Sequence, residues 1–203
     1  KAMKHVSNIN VYGFAIFLIF LLVFSNASFL FNLSTEALGG FAGTFIERIL
    51  ITGESVGTQW PQWWTTFYWF SWMAWAPTSG AFMGQIAYGR KVKHVLGLYV
   101  GLCASVSALW MVLVSGTSLW VQTSGLFDLV ASYDRGVENV PYDMLGALPL
   151  GNLIIPLFVV LIFLSTITAC NSNCIAMAGI STQGINPDSP DSPMWLKLVW
   201  CVV

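Results

Sequence analysis

Formal charge in this chain is confined to short segments, and between them lie apolar runs long enough to cross a bilayer. The runs are Val11–Phe31, Trp63 to about Tyr88, Val95 to about Trp120, and about Leu150–Met177; another begins near Trp195. Crossing the hydrocarbon takes about 20 apolar residues as helix. Within it every backbone N–H and C=O must find a partner inside the protein, and a helix meets that demand within one segment. Only 8% of the 203 residues are charged and 56% are hydrophobic, whereas a soluble domain carries about a quarter charged residues. The expected fold class is all-α, a polytopic transmembrane helical bundle, with residues 1–203 forming one transmembrane domain.

The intervening segments set the topology. Leu33–Leu50 carries Glu36, Glu47 and Arg48, while Leu38, Phe41, Phe45 and Ile49 fall on one helical face. This reads as an amphipathic helix lying in the interface. A polar segment follows the third run over Gln122–Asp143. The fourth run is bounded by Pro149 and by the breaker-rich NPDSPDSP of Asn186–Pro193. Lys1, Lys4 and the loop Arg90, Lys91, Lys93, His94 are separated by two spans, so they share a side. That side is basic and therefore cytoplasmic. The acidic Glu36–Glu54 and Asp128–Asp143 segments lie outside. The 186–193 loop, with Asp188 and Asp191, falls inside; lysine and arginine dominate the rule, so the orientation stands. Lys1 in place of a start methionine, and the apolar run at Leu196–Val203, point to a fragment from the middle or later part of a larger membrane protein.

Several functions have no support in the residues. A net charge of −1 without a basic stripe offers nothing to a nucleic-acid backbone. Cys103, Cys170, Cys174 and Cys201 lie in or beside apolar runs, form no CxxC, and read as small packing residues. No Ser-His-Asp set, metal motif or glycine-rich phosphate loop is present, and His5 and His94 sit near span ends. No charge falls inside a span, where proton relays and voltage sensors usually keep one. An enzyme is not expected.

The second run is the distinctive one. Trp60, Trp63, Trp64, Trp69, Trp72 and Trp75 account for most of the chain's ten tryptophans. Trp60, Trp63 and Trp64 stand at the outer mouth, where an aromatic belt explains them. Trp75 lies about three turns further on, roughly 16 Å deeper at 1.5 Å per residue, where a belt has no purpose. Trp69, Trp72 and Trp75 form a slowly turning stripe. It is either a packing surface or a set of ring faces that attract a cation with no removable proton. Pro77 lacks an N–H and clashes with the preceding turn, so a kink or opening is expected there, beside Thr78, Ser79 and Gly80. The fourth run carries a second polar cluster, Ser165, Thr166, Thr168, Asn171, Ser172 and Asn173. Interhelical hydrogen bonds or a pathway for a weakly held monovalent cation would each account for it.

The stretch WTTFYWFSWMAWAP at Trp64–Pro77, followed by Gly89–Arg90, resembles the signature of the betaine/carnitine/choline transporter family. SNIN at Ser7–Asn10, ALP at Ala147–Pro149 and the Thr166–Ser172 pattern echo the same family in order along nearly the whole chain. The resemblance implies a twelve-span protein with an inverted five-helix-repeat (APC/LeuT-like) transporter fold, of which this chain is similar to the seventh to tenth spans and the start of the eleventh. It implies a secondary transporter of quaternary ammonium compounds such as glycine betaine, carnitine or choline, working by alternating access. It places Trp72 and Trp75 in an aromatic cage around the trimethylammonium group, Trp69 on the outer path, and Tyr68 and Ser71 beside them. It further implies a homotrimer in a bacterial or archaeal plasma membrane, no cofactor, and a possible coupling ion, Na+ or H+, near Thr168 and Ser165.

The chain departs from the family pattern at four places. Ser71 replaces the first of two adjacent tryptophans. Gln85-Ile86-Ala87-Tyr88-Gly89-Arg90 replaces an arginine-richer loop motif. Thr168-Ala169 stands where sodium-coupled members have Thr-Ser, and Ser79 where sodium-independent exchangers have methionine. A different class of protein also fits the composition: a structural or ion-conducting subunit of a membrane complex, with the tryptophans as packing.

Overall fold

A computed structural model describes residues 2–183 and 192–202. Residues 186–191 of the breaker-rich loop, and the side chains of Gln85 and Ile86, lie outside the described residues. Every described element is helical, with no strand among the described residues. In chain order the helices are α1 (Ala2–Phe24), α2 (Ala27–Leu50), α3 (Trp60–Ala87), α4 (Val92–Thr123), α5 (Leu129–Arg135), α6 (Val140–Gly146), α7 (Gly151–Ile180) and α8 (Met194–Val202). Three segments among the described residues are helices long and apolar enough to cross a membrane: Lys4–Phe24, Val92–Thr123 and Gly151–Ile180. The tryptophan helix α3 is not one of them, because Trp N–H and Tyr O–H groups lower its hydropathy despite their large apolar rings.

Two helix details differ from the sequence reading. The first run does not continue as one helix to Phe31; α1 stops at Phe24. The Ser25 hydroxyl donates back to the Leu21 carbonyl, and the Asn26 side chain accepts from the Phe29 N–H at 3.0 Å. Asn26 thus acts as the N-cap of α2, so Phe29 to Phe31 belong to the next helix. The second difference is at Pro77, where the helix does not open: the residue lies inside an uninterrupted α3. Its missing N–H removes one ladder bond, and the hydrogen bonds on either side carry the helix through without opening.

The chain divides into two compact units. The first comprises Lys1–Phe41 and Leu96–Thr168. Its core joins Phe17 and Leu21 of α1, Leu30 of α2, Leu113 and Val121 of α4, Met144 and Leu145 of α6, and Phe158 and Leu161 of α7. Phe17 stacks on Phe158 with ring centroids 5.0 Å apart, and Phe14 meets Trp110 edge-on at 5.5 Å. Ile9, Ile16, Ile19 and Val23 on the same α1 remain exposed. A helix apolar on its exposed side as well as its buried side suits a lipid environment. Two π-helical turns, Gly97–Leu102 and Met111–Ser115, interrupt α4.

The segment read as merely polar, Gln122–Asp143, is ordered in this unit. Asp128 caps α5 by accepting from Val130 N at 3.1 Å and Ala131 N at 3.2 Å. Gln122 Oε1 accepts from Leu129 N at 2.6 Å. Arg135 pairs with Asp143 at 2.8 Å, and the buried Ser132 donates to the same carboxylate at 2.6 Å. Ahead of α7, Leu150 adopts φ 64°, and Gly151 follows where an added Cβ would stand 2.7 Å from the Leu145 carbonyl. Only glycine fits that close approach.

The second unit comprises Ala42–Val95 and Ala169–Val203. It holds the C-terminal part of α2, all of α3, the last turns of α7, and α8. Cys174, Ala176 and Ala178 on α7 are buried within it, whereas the aromatic side chains of α3 from Trp60 to Trp75 are exposed.

Candidate functional site

The start of α3 is held by its own neighbourhood. Gly53 takes φ +77°, in a turn where Thr58 and Pro61 leave no space for a side chain. Gln62 Nε2 donates back to the Thr52 carbonyl, and Thr58 Oγ1 accepts from Trp60 N at 3.2 Å. Pro61 occupies the first turn, where its lack of an N–H costs nothing. From this anchor an aromatic ladder descends the helix at i, i+4 spacing. Trp60 and Trp64 have ring centroids 5.7 Å apart, as do Trp64 and Tyr68. Phe67 meets Trp64 edge-on at 5.9 Å.

Below the ladder, Phe67, Tyr68, Ser71, Trp72 and Trp75 line a concavity of about 380 Å³. The residues at 68, 71, 72 and 75 follow the i, i+3, i+4, i+7 pattern that keeps side chains on one face. Trp72 is 69% and Trp75 52% exposed, so neither ring is packed into the interior of its unit. Ser71 is half-buried among them and is the one aliphatic hydroxyl in the lining. The structure therefore brings Tyr68, Ser71, Trp72 and Trp75 together. Trp69 is 64% exposed and does not line this concavity. The sequence stripe of every third residue rotates about 60° per step around the helix, which carries Trp69 off the face. A shallower niche of about 310 Å³ nearer the start of the helix is lined by Trp63, Trp64 and Phe67.

The α3 segment from Trp60 to Ala87 contains no charged residue. What its aromatic face can do is bind rather than react. Ring faces attract a cation through their quadrupole, at about 2 kcal/mol or more per desolvated contact. A quaternary ammonium group needs no hydrogen-bond acceptor, so rings can replace its water without a buried carboxylate. Among the described residues no group of three or more His, Cys, Asp or Glu side chains is placed to hold a metal ion.

The polar cluster on α7 is more self-contained than its composition implies. Thr166 Oγ1 donates to the Ile162 carbonyl at 3.0 Å. Thr168 Oγ1 reaches the carbonyls of Ser165 at 2.8 Å and Leu164 at 3.1 Å. These hydroxyls spend their proton on their own helix. Ser165 is different, for its Oγ accepts from Asn10 Nδ2 of α1 at 2.8 Å. The other end of that amide, Asn10 Oδ1, is a buried acceptor with no donor among the described residues. Asn10 was not among the expected site residues. Its signals in the sequence were the SNIN echo at Ser7–Asn10 and an amide at the entrance of an apolar run, where an uncompensated polar group is expensive.

The sequence profile of the BCCT family, described as betaine/carnitine/choline family transporter, matches residues 1–203. Proteins of this family are helical membrane transporters, not enzymes, and bind small quaternary ammonium substrates. The all-helical architecture, the apolar membrane-length helices and the uncharged aromatic face of α3 agree with that assignment. The chain belongs to the betaine/carnitine/choline transporter family.

Proposed function

We propose that this chain is part of a secondary active transporter that cages a trimethylammonium group, such as that of glycine betaine, carnitine or choline, during alternating access. In this reading Trp72 and Trp75 supply ring faces to the cation, with Tyr68 and Ser71 beside them. Trp69 lines the approach rather than the cage. The single observation that carries the proposal is the concavity in which Phe67, Tyr68, Ser71, Trp72 and Trp75 converge on one face of an uncharged helix. Helix α3 then spans the membrane with its aromatic face turned to a cavity rather than to acyl chains. Trp75 sits roughly 16 Å deeper than Trp64, too deep for an interfacial belt.

The rest of the proposed setting follows the charge pattern and the family. The protein is multi-pass in a bacterial or archaeal plasma membrane, with Lys4 and the Arg90–His94 loop cytoplasmic. Residues 33–50 of α2 lie in the interface, and the assembly is a homotrimer. Thr168 and Ser165 sit by the path of the coupling ion, a weakly held monovalent cation.

Tryptophan fluorescence of the purified protein, titrated with glycine betaine, carnitine, choline and a primary-amine control, tests the cage. A saturable change with a trimethylammonium compound and none with the primary amine is the expected result. No saturable response, or an equal response to both classes, would overturn the reading.

A further inference from the structure

Away from the aromatic face, three of the chain's four cysteines gather in the second unit: Cys170 and Cys174 on α7, and Cys201 on α8. Cys174 is buried against the end of α8. Its Sγ donates to the Trp200 carbonyl at 3.3 Å, and Cys201, the next residue on the last turn of α8, is its neighbouring thiol. Cys201 is exposed. Cys170, one turn earlier on α7, is exposed as well. The trio does not form a metal site, and packing accounts for Cys174 but not for an exposed thiol held against it.

We propose that Cys174 and Cys201 are a redox-modified dithiol that closes to a disulfide joining α7 to α8. The chemistry follows from the difference in exposure. The Cys201 sulfur meets a peroxide first and attacks its O–O bond; the peroxide is reduced, one water leaves, and Cys201 becomes a sulfenic acid. The neighbouring Cys174 sulfur attacks the sulfenic sulfur. The S–O bond breaks, the thiol proton leaves with the hydroxyl as a second water, and the S–S bond forms. Two thiols and one peroxide thus yield one disulfide and two waters. A thiol reductant reverses the reaction by exchange. The Asn186–Pro193 loop that joins the two helices falls on the basic, cytoplasmic side of the charge pattern, where disulfides are transient and sensory rather than permanent. Cys170 is the competing partner, but no contact between it and α8 matches that of Cys174 among the described residues.

The inference is independent of what the protein transports, and peptide mapping tests it directly. Membranes containing the protein are treated with hydrogen peroxide, remaining thiols are alkylated, and peptides are mapped without reduction. The expected product is a crosslinked pair joining Cys174 to Cys201, lighter by two hydrogens than the separate thiol peptides and lost on adding dithiothreitol. Cys201→Ser should abolish the crosslink and Cys170→Ser should preserve it. The proposal is overturned if both Cys174 and Cys201 remain alkylatable after Cys170 has been oxidised. A link from Cys170 to Cys201, or a Cys201 carried to the sulfinic acid with Cys174 still reduced, overturns it equally. The unsubstituted protein decides the question even if a variant fails to fold.

Discussion

The side-chain amide of Asn10 donates to the Ser165 hydroxyl at 2.8 Å across 155 residues of sequence. The contact ties α1 to α7, two helices also joined by the Phe17–Phe158 stack and by Gly13, which leaves no room for a side chain beneath Leu161. A polar contact within an apolar seam orients both helices, because any rotation of either one strands a half-buried amide.

Removing one partner should therefore cost more than removing both. Ser165→Ala leaves both ends of the Asn10 amide without a protein partner and is expected to destabilise the protein by about 1–2 kcal/mol. Combining it with Asn10→Leu, which replaces the amide by an apolar group of similar size, should recover part of that loss. Thermal unfolding in detergent reads both effects. Strictly additive losses would show that the two side chains are not energetically coupled.

Depth along α3 should separate substrate contact from interfacial anchoring. Trp75→Leu is expected to abolish uptake of the preferred trimethylammonium substrate, while Trp63→Leu leaves most of it. Uptake into proteoliposomes at matched protein levels measures the difference. Equal losses at the two positions would assign the tryptophans to structure alone.

Ser71 sits among the rings of Tyr68, Trp72 and Trp75, at the place where the family signature has a tryptophan. A missing aromatic wall costs about 1–2 kcal/mol of cation–π attraction, or roughly a 5- to 30-fold loss of affinity for a plain trimethylammonium compound. Ser71→Trp should tighten glycine betaine binding by that factor and weaken binding of a substrate that uses the Ser71 hydroxyl. Fluorescence titration of both ligands checks the pair of effects. Unchanged affinities would remove position 71 from the site.

Coupling to sodium should be weak or absent, with exchange or proton coupling instead. Ala169 follows Thr168 where sodium-coupled members carry a second hydroxyl, so one oxygen of that pair is missing. Uptake measured with sodium replaced by choline-free potassium buffer should change little. A steep sodium requirement that Thr168→Val abolishes would reverse this conclusion.

Some local geometry was written in neighbouring residues but obscured by composition. Ser25–Asn26 is a helix-capping pair, yet it lies inside an apolar run, and hydropathy alone carried the run on to Phe31. At Pro77 the opposite occurred. The residue signals a break, while the hydrogen bonds of its neighbours keep α3 whole. Capping is decided within a few residues, so it can be read locally. The consequence of a proline depends on how much helix surrounds it.

The sequence by itself determined the helical class, the division into apolar runs and charged segments, and the family, because each depends on composition and order along the chain. Tertiary structure decided which residues meet. Tyr68 joins Trp72 and Trp75 while Trp69 does not, because a helix turns about 100° per residue and residues three apart drift around its surface. Asn10 finds Ser165, and Cys174 finds Cys201, because the packing of helix on helix chooses neighbours that no local spacing encodes. A period along one helix specifies a face, and only the folded chain supplies what that face touches.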